Sequence, residues 1–242
     1  MIRYLVLAAS VLAAPANADI TAARYVLPTD VYGHGVVPGG EYAGLEFEID
    51  GRRLLATAAI GGVYEDTAPR LVDLDGDGAP EVITVISYFD TGAAIRIWGE
   101  VAQPDAPDGT TIALVAESPA IGTRFRWLAV IGAADLDGDG AVEIAYIDRP
   151  HLARTLRVLR YAKGRLTPVA DLPGLTNHRI GEADIGGGIR DCGQGPEMIT
   201  ANADWTQVMA TRLSDGQLQT RAIGPHRDRS SFAAALACDV VN

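Results

Sequence analysis

Long apolar runs are missing after the first eighteen residues, and no later segment keeps the 3.6-residue apolar period of a long amphipathic helix. A helical bundle is therefore not expected. Basic charge is scarce: 20 Lys and Arg stand against 31 Asp and Glu, and Lys163 is the only lysine. The formal net charge of −11 lacks the basic face that a phosphate backbone requires, which argues against nucleic acid as a partner. Catalytic signatures are also missing. No H-x-x-H, H-E-x-x-H or G-x-S-x-G occurs, and Ser230-Ser231 has no elbow context. No glycine loop precedes a helical pattern, so nucleotide binding has no support.

Cysteine is nearly absent, and the two copies are informative. In an oxidising compartment Cys192 and Cys238 form a candidate disulfide, the alternative being two separate buried thiols. The compartment is indicated by the start, MIRYLVLAASVLAAPANAD. Arg3 precedes an apolar run, and Ala16-Asn17-Ala18 places small residues where signal peptidase cuts. Residues 1–18 read as a cleaved signal, too short for a stop-transfer helix, and no Cys follows the run to take a lipid anchor. The alternative is an N-terminal membrane anchor. Cleavage at 18 leaves 224 of the 242 residues and, with Arg3 gone, a charge of −12. That length suits one domain, residues 19–242, exported to periplasm or medium with no remaining membrane span and acting as a monomer.

What the mature chain does contain is short β-type runs broken by Gly, Pro, Asp and Asn, the pattern of an all-β fold. YAGLEFEI (42–49), RLLATAAI (53–60), EVITVISY (81–88), AAIRIWG (93–99) and TIALVAES (111–118) read as strands. So do EIAYID (143–148), TLRVLRY (155–161), EMITAN (197–202) and VMATRL (208–213). EVITVISY is apolar almost throughout, which predicts burial on both faces.

These strands repeat. DLDGDGAPEV at 73–82 and DLDGDGAVEI at 135–144 head two similar units, and GEADIGGGIRDCGQGPEMI heads a third without the acidic loop. Taking Asp73, Asp135 and Asp184 as loop starts, the spacings are 62 and 49, a period that suggests propeller blades of about four strands. A fourth unit must draw on both ends of the chain. SSFAAALACDVV (230–241) reads as its first strand and residues 22–60 as the others, so pairing the two ends closes the ring and hides two sheet edges. Four blades are expected, with five as the alternative.

Each acidic loop offers a ligand set. Asp73, Asp75 and Asp77 hold positions 1, 3 and 5, Gly78 allows the turn, Ala79 offers a carbonyl at 7 and Glu81 sits at 9. The second copy supplies Asp135, Asp137, Asp139, Ala141 and Glu143. Calcium takes about six to eight oxygens at about 2.3–2.6 Å, and this spacing supplies five or six before water. Four carboxylates within nine residues repel one another unless a cation sits among them. The loop is not an EF-hand: position 12 is Thr84 or Tyr146 instead of Glu, and the following residues form strands.

LVDLDGDGAPEVITV and AADLDGDGAVEIAYI resemble the FG-GAP (VCBS-type, integrin-α-like) repeats of β-propellers. The resemblance implies a blade whose first two strands are joined by a D-x-D-x-D-G-x-x-[DE] loop that binds Ca²⁺. It covers 69–99 and 132–161 well and 181–213 in outline, and it implies no reaction. In the third unit Asp184 is followed by Ile-Gly-Gly-Gly, so no metal is expected there; Cys192 on this loop and Cys238 on the closing strand would instead lock the ring.

For catalysis the residues are weaker. His34, His151, His178 and His226 fall in polar segments, and loop histidines usually cap turns. Asp148, His151, Arg154, His178, Arg179 and Asp191 form a candidate ligand face on one side of the propeller. TRFRW (123–127) reads as a strand edge or as an aromatic and cationic surface. The expectation is a calcium-stabilised binding or scaffold module for a protein or glycan partner. The alternative is a hydrolase or lyase with a His/Asp/Arg site.

Overall fold

The computed structural model describes residues 20–49, 51–106 and 109–242, so the expected signal peptide, 1–18, lies outside the described residues. The chain is all-β, with seventeen strands and one short helix among those residues. It opens with β1 (Ile20–Pro28), β2 (Glu41–Ile49), β3 (Arg52–Thr57) and β4 (Gly62–Glu65). Three similar antiparallel units follow. The first is β5 (Arg70–Val72), β6 (Glu81–Tyr88), β7 (Gly92–Ala102) and β8 (Thr110–Glu117). The second is β9 (Leu128–Ala134), β10 (Glu143–Asp148), β11 (Thr155–Ala162) and β12 (Arg165–Pro173). After β13 (Leu175–Thr176) comes the third: β14 (Gly188–Asp191), β15 (Pro196–Asn202), β16 (Gln207–Ser214) and β17 (Gln217–Pro225).

The apolar pattern explains these elements. EVITVISY is β6, buried at every position but the last. EIAYID is β10 and is buried throughout. The last strands of the second and third units are instead exposed at more than half of their positions. A register shift recurs between the third and fourth strands of all three units, at Ile97/Trp98 and Val158/Leu159 in equivalent positions and at Val208/Met209 two residues nearer the start of the strand. Such bulges bend a strand and increase its twist, and their recurrence marks the units as copies of one frame. Neighbouring units share their cores. Ile83, Ile95 and Ile97 pack with Leu128, Val130 and Ile144; Ile147 and Val158 pack with Met198 and Leu213. Each buried aliphatic side chain contributes about 1.5–3 kcal/mol.

Three expectations need correction. The N-terminal strands are not a separate blade: β4 pairs with both β2 and β6, so they and the first unit form one curled eight-stranded sheet. The C-terminal segment is not a closing strand. It forms α1 (Arg229–Leu236), whose N-cap Asp228 accepts the Ser230 N–H. Ser231, Phe232 and Ala235, spaced for one helical face, are its buried residues. No strand pairing between the two ends closes a ring among the described residues. Finally, the third hairpin loop starts at Asp191, on the pairing Asp191↔Pro196, and Asp184 lies before the first strand of its unit.

Candidate metal loops and a histidine-lined cavity

The two acidic loops fold alike because each first aspartate organises the turn. Asp73 accepts the N–H groups of Gly76 (2.7 Å) and Gly78 (3.1 Å); Asp135 accepts those of Gly138 (2.8 Å) and Gly140 (2.9 Å). Gly78 and Gly140 have φ of 93° and 90°, a region that L side chains avoid. Asp77 and Asp139 cap the N–H groups of Ala79 and Ala141 at 2.8 and 2.9 Å. The glutamates that begin β6 and β10 reach back under the loops, accepting the N–H groups of Leu74 (2.7 Å) and Leu136 (2.9 Å). The result is two clusters able to hold a metal ion, Asp73/Asp75/Glu81 and Asp135/Asp137/Glu143, each with ligand oxygens within 4.8 Å of one another. Asp77 and Asp139 stand outside these groups.

The clusters differ in their counter-charge. Glu81 is buried and forms no ion pair among the described residues. Burial pushes its carboxyl up, Asp75, Asp77 and Asp73 push further, and the pKa reaches about 7 against the opposing Leu74 N–H. Glu143 faces Arg160 across the β10–β11 ladder. Arg160 spans the second cluster, 2.6 Å from Glu143, 3.0 Å from Asp137 and 2.8 Å from Asp139. One step beyond the pair Val82↔Trp98, the position facing Glu81 is Gly99.

In the third unit the equivalent glutamate is Glu197, and three guanidiniums hold it. Arg190 approaches to 2.8 Å, Arg212 to 2.8 Å and Arg221 to 2.6 Å. Burial alone would raise the Glu197 pKa, but Arg221, Arg190 and Arg212 outweigh it and bring it to about 2. Asp191 caps the short loop, accepting the N–H groups of Gly193, Gln194 and Gly195. Beside it Cys192 is bonded to Cys238, just past α1. The disulfide thus ties the third hairpin loop to the C-terminal helix.

At the opposite end of the second and third units lies a cavity of about 210 Å³ whose lining includes His34, Phe125, Trp127, His151 and Arg149. His178 Nε2 lies 3.0 Å from the Glu182 carbonyl. A carbonyl only accepts, so that nitrogen carries the proton and Nδ1 is left to accept. His151 Nε2, 3.0 Å away, then donates to it, and His151 Nδ1 keeps a free lone pair. Burial and the neighbouring His178, His34 and Arg154 hold the His151 pKa down at about 4. Burial likewise lowers that of His178. His34 Nδ1 sits 2.8 Å from the buried carboxylate of Glu65, without the alignment of a hydrogen bond. Ser87 Oγ donates to the other oxygen of that carboxylate at 2.5 Å. Phe125 and Arg149 have φ of 59° and 47°, strained backbone of a kind that clusters at functional sites.

Of the six residues expected to share one face, the fold brings His151 and His178 together. Asp148 is buried and bound to Arg149 and Arg157. Arg154 donates to the Ala203 carbonyl, and the Arg179 guanidinium lies 4.2 Å from the Trp205 ring centroid. Asp191 is at the other end of its unit, in the β14–β15 loop. In TRFRW, Arg124 stacks on Phe125 at 4.6 Å and Trp127 is buried. His226 is buried between Trp205 and Phe232. Sequence reasoning missed Glu65, Trp127 and the arginines around Glu143 and Glu197. Only strand register reveals that Arg160 and Arg212 face them. No protein-family model matches the chain, and neither does any curated protein.

Proposed function

We propose that residues 19–242 are an exported, calcium-stabilised β-propeller of FG-GAP type that serves as a binding or scaffold module for a protein or glycan. One observation carries the calcium half. Glu81 is a buried carboxylate among three aspartates with no basic partner among the described residues, while Glu143 and Glu197, at the same position in the other units, are each faced and paired by an arginine. This position takes positive charge, and in the first unit the charge must come from outside. A hard cation fits an all-oxygen donor set. Asp73, Asp75, Asp77 and Glu81, with the Ala79 carbonyl, are the ligands we assign; the second set is Asp135, Asp137, Asp139 and Glu143, with the Ala141 carbonyl. Three four-stranded units with a recurring bulge support the propeller reading, and the disulfide accords with an oxidising compartment.

The test is a thermal melt in excess EGTA and in millimolar Ca²⁺. Binding to the folded state alone adds about 2.7 kcal/mol per site at a hundredfold excess over Kd. A rise of several degrees or more is therefore expected in wild type, reduced in Asp75→Ala and in Asp137→Ala. Identical melts with and without calcium contradict the proposal.

A hydrolase or lyase is the second reading, favoured by the unprotonated His151 Nδ1 beside a cavity. Turnover of generic nitrophenyl esters or glycosides, lost in His151→Gln with the fold intact, supports it; no turnover leaves the scaffold reading in place.

A further inference from the structure

The third unit is a charge-inverted copy of the first. In the first, a cavity of about 80 Å³ beside the loop is lined by Asp75, Asp77, Glu81, Gly99 and Glu100. At the matching place in the third, beside its loop and between its last two strands, an open cavity of about 320 Å³ is lined by Gln194, Arg212, Gln219, Thr220 and Arg221. No acid lines it. Gly99 has become Arg212, and Arg221 projects from the last strand, facing Ala210.

Neutralising Glu197 requires one guanidinium, yet three converge on it, leaving a local charge of +2 in a chain of net charge −11. Arg190 is the buried one, with its side chain 8% exposed; Arg212 and Arg221 face water at 35% and 53%. Each guanidinium carries five N–H donors. Arg221 gives Nη1 and Nη2 to Glu197, and Arg212 gives Nε to Glu197 and Nη2 to Gln194. Their other N–H groups meet no protein acceptor among the described residues, and both side chains line the cavity. Asp191, at the start of the adjoining loop, accepts three backbone N–H groups of that loop and forms no ion pair with either arginine among the described residues. Glu197 therefore acts as a hub that fixes two guanidinium forks side by side, with spare donors turned outward. Fixed forks match the oxygens of carboxylate and phosphate, and pre-positioning lowers the entropy lost on binding.

We propose that this cavity is a binding site for a small oxoanion, held by Arg212 and Arg221 with the side-chain amides of Gln194 and Gln219. The site does not depend on the calcium reading, because it lies in the unit that lacks an acidic loop.

The experiment is calorimetric titration of the whole mature protein with inorganic phosphate at low ionic strength, in EGTA. A parallel titration with acetate tells a tetrahedral from a planar oxoanion. One saturable site per chain is expected. Charge-assisted hydrogen bonds make each arginine worth about tenfold or more in affinity, so Arg221→Gln is expected to weaken binding by at least that factor. Gln194→Glu places a carboxylate at the mouth of an exposed loop without removing an ion pair. It is expected to abolish binding while melting like wild type, so the test stands even if Arg221→Gln fails to fold. Asp75→Asn is expected to bind the anion unchanged. Absence of saturable binding of either anion, or equal affinity in wild type and Gln194→Glu, overturns the proposal.

Discussion

Glu81, Glu143 and Glu197 occupy one position in three copies of one frame, and each meets a different cation supply. The contrast shows how little separates a metal site from an arginine cluster. A glycine facing the glutamate leaves Glu81 without a counter-charge, a single arginine supplies part of it at Glu143, and three supply an excess at Glu197. The paired histidines behave differently, because the cost of desolvating a positive charge there outweighs its compensation. His151 has its pKa lowered from 6.5 to about 4, and that of His178 is lowered as well. The folded state therefore binds their protons later than the unfolded chain does. This stability is fully present above pH 6.5 and is lost as pH falls through that value toward 4. Because His151 is only partly buried, solvent screening limits its share of the loss between pH 7.5 and 5 to on the order of 1 kcal/mol. Urea midpoints at the two pH values are expected to show it in wild type and to show less of it in His151→Gln. An unchanged pH difference in the variant would argue against a buried neutral pair.

Among the elements, the strands were legible and the ends were not. EVITVISY and EIAYID declare themselves because β-branched and apolar residues continue over the length of a strand. SSFAAALACDVV misleads because its alanines fit either period, and the Asp228 cap that settles the matter lies just outside it. The third loop misled for a related reason. Gly186, Gly187 and Gly188 resemble the loop glycines, yet the first two precede the first strand of their unit and Gly188 begins it, and the true loop is the short turn from Asp191. The cysteine pair was legible as a pair, although one partner follows a helix and not a strand. With its ends 46 positions apart in sequence, the disulfide constrains the unfolded chain by about 4 kcal/mol. Reduction, or Cys192→Ser with Cys238→Ser, is expected to lower the melting temperature by on the order of ten degrees. A melt insensitive to reductant contradicts a tie between the third loop and α1.

For the whole molecule, three repeated units lie side by side with shared cores, the first continuous with the N-terminal strands and the third covered by α1. The acidic loops lie at one end of the units and the histidine cavity at the other. The acidic clusters Asp73/Asp75/Glu81 and Asp135/Asp137/Glu143 were legible because loop spacing is local in sequence, whereas Asp77 and Asp139 fall outside them. The charge pattern around them was not, because it depends on which residues face one another across a ladder. The account rests most heavily on the two loops, and the direct measurement is a calorimetric titration of the calcium-stripped protein with Ca²⁺. It predicts two ions per chain in wild type, one in Asp75→Ala, one in Asp137→Ala and none in the double variant. Because Arg160 already offsets part of the charge of the second cluster, that site is expected to be the weaker one and to tighten in Arg160→Ala. No heat of binding at millimolar calcium, or a stoichiometry indifferent to these substitutions, would contradict it.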